Sequence, residues 1–152
     1  MKKAGRIVLL VISLLNGIAG LVCGILMIVK PDGSLMAMQS VIPVLRQTPV
    51  LGALFFRDLL WVGIVMLLAL GIPSSLASVL TIRKHRCRYR SQLFAGICLL
   101  LWCITELFII PNPVVVGYLV VGIVQVVLAI SLRAPADRDR SLVKKTAAPG
   151  RK

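Results

Sequence analysis

The 152-residue chain is 59% hydrophobic, has a mean hydropathy of +0.97 and has only 15% charged residues. A soluble domain carries about a quarter charged residues, so this composition excludes an ordinary soluble fold, and the length leaves no room for a separate catalytic domain. The net charge of +13 would suit nucleic acid, but the basic residues flank apolar runs, which points to a membrane and to no nucleic-acid partner.

Residues 7–29 form the first uncharged apolar run, long enough for the roughly 20 residues that a membrane helix needs. The basic start Met1-Lys2-Lys3 raises the alternative of a signal peptide. The run exceeds the ~7–15 residues of a signal core, and Val22 in Gly20-Leu21-Val22-Cys23 occupies the place where a lipoprotein cleavage box wants a small residue. A retained helix is therefore expected. Ser13, Gly17, Gly20 and Gly24 lie along one stripe of it, with Asn16 beside them, a pattern for close helix packing in lipid.

An outer loop, 30–58, follows. Pro31-Asp32-Gly33 is a turn signal that stops the helix. Met38, Val41, Ile42 and Leu45 keep a helical apolar spacing that Pro43 interrupts, and Thr48-Pro49 suits a second helix start. The loop is expected to lie partly in the membrane interface, and less plainly to act as a lid. The second span, about 59–82, opens on Arg57 and Asp58, carries Gly63, Gly71, Ser74 and Ser78, and contains Pro73, which predicts a kink. The loop after it holds Arg83, Lys84, His85, Arg86, Cys87, Arg88 and Arg90. His85-Arg86-Cys87 falls far short of a zinc set, and flanking positive charge disfavours a cation there.

The third span, about 92–110, holds Glu106, and an ionisable residue inside a span is a functional hypothesis by default. Glu106 sits near the end that Arg57 and Asp58 enter from. The three make a candidate polar cluster, either an ion pair locking two helices or a proton or cation site open to the outside. Pro111-Asn112-Pro113 forces a tight reversal into the fourth span, about 114–132, where Tyr118, Gly122, Gln125 and Ala129 share a face. Asn16 and Gln125 fall near mid-membrane and are expected to hydrogen-bond across helices. Residues 133–152 read as a basic, disordered tail.

Fifteen of the eighteen basic residues fall at the N-terminus, in the loop after the second span and in the tail, leaving Lys30, Arg46 and Arg57 for the other side. Lysine and arginine accumulate on the cytoplasmic side. The expected fold class is thus all-α, a polytopic membrane protein with a four-transmembrane-helix bundle, N-in and C-in, in the cell (inner or plasma) membrane. Cys23, Cys98 and Cys103 sit in apolar runs as small hydrophobes, with no Cys-x-x-Cys, phosphate loop or nucleophile elbow. No enzyme, cofactor or metal site is expected.

The arrangement resembles a family of uncharacterised small four-span bacterial membrane proteins. Pro31-Asp32-Gly33 matches its turn after helix one, Trp102 with Glu106 its acidic residue after a tryptophan in helix three, and Tyr118, Gly122 and Gln125 its helix-four pattern. The resemblance covers most of the membrane region through short motifs and implies no activity. Small multidrug transporters also have four spans, but their acidic residue lies in helix one, where this chain has none. The expected role is a non-enzymatic accessory or scaffold acting through helix contacts, with the bilayer, anionic headgroups at the basic loop and tail, and a second copy or another membrane protein as partners. The alternative is a small oligomeric transporter or channel using Arg57, Asp58 and Glu106.

Overall fold

The computed structural model describes residues 2–47, 58–109 and 112–146. Within them every regular element is helical: α1 (Lys2–Val29), α2 (Val41–Arg46), α3 (Leu60–Ile82), α4 (Arg88–Ile109) and α5 (Pro113–Thr146). The spans Lys3–Val29, Leu60–Ile82, Arg88–Ile109 and Pro113–Arg133 are each long and apolar enough to cross a membrane. Ile7, Leu15, Leu68, Phe94, Leu101 and Val114 stand exposed on their outer faces, as lipid-facing side chains would. The first turns of α1, the Leu128–Leu132 stretch of α5 and the loop between α3 and α4 gather at one end of the bundle, the basic end.

Small residues let the helices approach in pairs. Lipid tails are as apolar as leucine, so close packing has to replace the hydrophobic effect between helices. A Cβ at Gly20 would lie 2.6 Å from the backbone nitrogen of Gly71, and one at Gly24 would lie 3.0 Å from the Gly63 carbonyl oxygen. At Gly17 the neighbour is Ser75. The α1–α3 contact is therefore backbone against backbone. The α4–α5 contact has the same origin, with Gly96 facing Val126 and Gly122 facing Leu100.

Pro73 acts through the turn that precedes it. Residues Leu67–Gly71 form a π turn, and the Ile72 N–H reaches the Leu67 carbonyl five residues back. A proline lacks its own N–H and crowds the carbonyl four residues earlier, and a single wide turn relieves that crowding while α3 remains one span. The expected kink is this local widening.

The five-residue connection between α3 and α4 is closed by a reciprocal cap. The His85 N–H bonds the Leu80 carbonyl at 2.9 Å and the Lys84 N–H bonds the Thr81 carbonyl at 3.2 Å, the pattern that usually ends on glycine. Here Lys84 takes the left-handed conformation, with φ 52°. Lys84→Gly removes that strain and is expected to stabilise the protein by about 1 kcal/mol, read as a shift of the unfolding midpoint in mixed micelles. At the opposite end Asn112 caps α5, its Oδ1 accepting the Val114 N–H at 2.9 Å, and Pro113 takes the first helical position where its missing N–H costs nothing.

Also at that opposite end, the turn after α1 folds back over the bundle. Gly33 (φ 73°) and Ala37 (φ 52°) are both left-handed, and the Leu59 N–H ties the start of α3 to the Pro31 carbonyl at 2.9 Å. Met36, Met38, Ile42 and Leu45 pack with Met27, Leu59, Val62, Met66 and Ile109 in one apolar cluster. Pro43 fits inside α2 because it falls in the first turn, where its N–H would lack a partner anyway. The Ser34 N–H, at 2.9 Å from Asp32 Oδ1, holds that carboxyl below its usual range. The turn's contribution is then present above the unfolded carboxylate value of ~3.9 and lost as pH falls through the lower folded value. Carboxyl NMR titration should show Asp32 titrating low, and Ser34→Pro should restore it.

Two boundaries differ from the sequence reading. α4 begins at Arg88, one turn before residue 92, because the capped loop delivers the chain already turned. α5 continues to Thr146, where a disordered tail was expected from 133. A helix nucleated in the membrane extends without a second nucleation cost, and Ala, Arg, Leu and Lys in 134–146 favour it despite Pro135. Residues 48–57, with the expected helix start at Thr48-Pro49, and 147–152 lie outside the described residues.

Candidate functional site, a buried polar hub

The polar side chains of the interior converge on Gln92, one turn into α4. Its Nε2 donates to Ser13 Oγ of α1 and to Thr81 Oγ1 of α3, both at 3.0 Å. Its Oε1 accepts from Gln125 Nε2 of α5 at 3.2 Å. One amide thus joins all four spans. Gln92 is 1% exposed and Gln125 and Ser13 0%, so none of the three is offered to lipid or water.

The orientation of both amides follows from their neighbours. Gln92 Nε2 also faces the Ala77 carbonyl at 3.4 Å, and Gln125 Nε2 faces the Gln92 carbonyl at 3.4 Å. Carbonyls only accept, so neither amide can be reversed without setting oxygen against oxygen. The hydroxyls close the remaining bonds, mostly onto carbonyls of their own helices. Ser13 donates to the Leu9 carbonyl at 2.9 Å and Thr81 to the Ala77 carbonyl at 2.7 Å. Ser78 divides its one proton between the Ser74 carbonyl at 2.9 Å and Ser13 Oγ at 3.0 Å.

Buried atoms also stay outside this circuit, among them Asn16 Nδ2 and Gln125 Oε1, which have no hydrogen-bond partner. Asn16 is the residue expected to pair with Gln125, but the Asn16 nitrogen and the Gln125 oxygen do not meet, and Gln125 bonds Gln92 through its nitrogen instead. The reason is the earlier start of α4, which puts Gln92 inside the bundle at the level of Ser13 rather than at its rim. Thr81 was missed as well. The signal available in the sequence was the short loop: two residues before its start and five after its end, Thr81 and Gln92 must lie side by side.

The acidic cluster near the opposite end is placed only in part. Arg57 lies outside the described residues. Asp58 Oδ1 accepts the Leu60 N–H at 3.0 Å and so serves the start of α3. Glu106 is half-buried near the end of α4, with the Trp102 side chain as its hydrogen-bonding neighbour one turn earlier. Leu59 and Ile109 share one apolar cluster, so the two carboxylates belong to the same end of the bundle.

Of the packing residues, Gly17, Gly20 and Gly24 face α3, Gly122 faces α4, and Asn16 and Gln125 are buried. Tyr118, expected on the same face as Gly122, is exposed. His85 uses Nδ1 to accept the Cys87 N–H at 3.3 Å, an ordinary turn contact. Among the described residues no group of three or more His, Cys, Asp or Glu side chains could hold a metal ion. No family model, curated protein or solved structure matches this chain.

Proposed function

We propose that the chain is a non-enzymatic membrane scaffold, a closed four-helix bundle that acts through its outward helix faces on another membrane protein or a second copy of itself. The observation that carries this reading is the Gln92 hub. It ties Ser13, Thr81, Gln92 and Gln125, from four helices, to one another, where a solute pathway would leave such side chains facing a passage. The glycine contacts of α1 with α3 and of α4 with α5 leave less than the room of one Cβ at their tightest points, which also favours a static bundle. On this reading the membrane is the cell membrane with the basic end cytoplasmic, following the arginine and lysine bias, and that end attracts anionic headgroups, at about 1 kcal/mol per basic residue.

The second reading, a small oligomeric transporter, rests on Glu106, half-buried in an apolar helix beside Trp102. The two separate in one pair of measurements. A photo-crosslinker placed in native membranes at exposed Leu101, Leu68 or Ile18 should give a discrete adduct from one face only. Proteoliposomes of the purified chain should take up protons and cations no faster than empty vesicles. Uptake above that background, lost in Glu106→Gln with the protein still folded, overturns the scaffold reading and establishes transport. Cysteine accessibility at Ser34 and Ser141 checks the topology: opposite-side labelling is expected, and same-side labelling refutes it.

A further inference from the structure

The five methionines of the chain are distributed unevenly. Apart from Met1, all of them, Met27, Met36, Met38 and Met66, belong to the one apolar cluster at the end opposite the basic loop. The other core cluster, around Leu70, Leu99, Cys103 and Val115, contains no methionine. Three separate segments supply the four thioethers: the last turn of α1, the turn after it, and the first half of α3. Backbone geometry is committed to bringing them together. Gly63 lies directly under Met27, since a Cβ there would come within 2.7 Å of the Met27 Cβ. Ala37 is held left-handed between Met36 and Met38, and the Met36 and Met38 N–H groups both return to the Gly33 carbonyl, at 3.2 and 3.0 Å.

Packing alone does not require sulfur, since leucine fills comparable volume in the rest of the bundle. A thioether adds a soft, neutral, polarizable donor, and soft donors select Cu(I) and chemically similar monovalent d10 ions over harder cations. We propose that Met27, Met36, Met38 and Met66 form a thioether site for a soft monovalent cation, Cu(I) or Ag(I). Met36 and Met38 are partly exposed and give the ion access, while Met27 is buried behind them. Because a thioether carries no proton to displace, binding is insensitive to acid, unlike binding at thiols or imidazole. The site goes beyond the scaffold reading and stands independently of it.

The test uses the full chain in detergent, labelled with 13C-methyl methionine and titrated with Ag(I) in chloride-free buffer. The four methyl resonances of Met27, Met36, Met38 and Met66 should move together and saturate at one equivalent, at pH 4.5 as at pH 7, while Met1 stays in place. The double variant Met36→Leu with Met38→Leu should bind at least tenfold more weakly. Its thermal unfolding should be little changed, because leucine conserves methionine's volume. Silver uptake that leaves these methyls unmoved, or that disappears at pH 4.5, assigns the ion to the free thiols Cys23, Cys87, Cys98 and Cys103 and overturns the proposal. No uptake at all overturns it too. The wild-type spectra decide the matter even if the double variant fails to fold.

Discussion

Gln92→Leu is expected to destabilise the bundle by about 2 kcal/mol, from three interhelical hydrogen bonds at roughly 0.6 kcal/mol each. The bonds lost are those to Ser13, Thr81 and Gln125. The leucine fills most of the glutamine's volume, so the loss reports hydrogen bonding and not a cavity. It also leaves the Gln125 amide with only its long contact to the residue-92 backbone carbonyl, and a buried group deprived of its partner costs more than a pair removed together. Gln92→Leu with Gln125→Leu should therefore cost less than the sum of the two single changes. Reversible unfolding in dodecyl sulfate mixed micelles, followed by circular dichroism, measures each corner of the cycle. Additive costs would mean that the Gln92–Gln125 bond carries no coupling. Asn16→Leu is the counterpart: it deletes a buried nitrogen that has no partner, so it is expected to be neutral or stabilising.

Gly20→Leu is expected to be the most damaging single change, at about 3 kcal/mol or more, with Gly20→Ala at about 2 kcal/mol. The first added carbon would meet the Gly71 nitrogen at 2.6 Å and its Cα at 2.9 Å. Backbone atoms cannot rotate aside as a side chain can, so α1 and α3 must separate and lose dispersion contacts along their whole seam. Gly117 provides the control. Nothing lies within 4 Å of a Cβ added there, and Gly117→Ala is expected to stabilise α5 by about 0.5–1 kcal/mol through helix propensity. The same micelle unfolding assay ranks the three, and a Gly20→Ala cost no larger than that at an exposed position would refute close α1–α3 packing in the membrane.

Much of the architecture was legible because lipid imposes simple rules on a sequence. Four apolar runs near 20 residues read directly as spans, and Asn112-Pro113 carries its own capping chemistry. The Gly17, Gly20 and Gly24 stripe could be seen, but its partner helix could not, since helical spacing names a face and not what lies across from it. The functional region was harder still. Asn16 and Gln125 were paired on depth alone, and depth within a span is uncertain by the turn that moved Gln92 inside. The methionines raised no signal in the sequence, because 27, 36, 38 and 66 share no period and no motif.

The sequence by itself determined that this chain has four apolar helices with a strong charge asymmetry between their two ends. Those properties depend on local length, composition and order, which any conformation of the chain retains. Only the tertiary structure decided that Gln92 is the residue on which four helices meet, that Asn16 stays outside that circuit, and that four dispersed thioethers share one cluster. The physical reason is that a hydrogen bond or a soft-donor cluster is set within a fraction of an ångström. Such distances depend on the π turn, the left-handed turns and the glycine contacts that fix how the helices lie against one another.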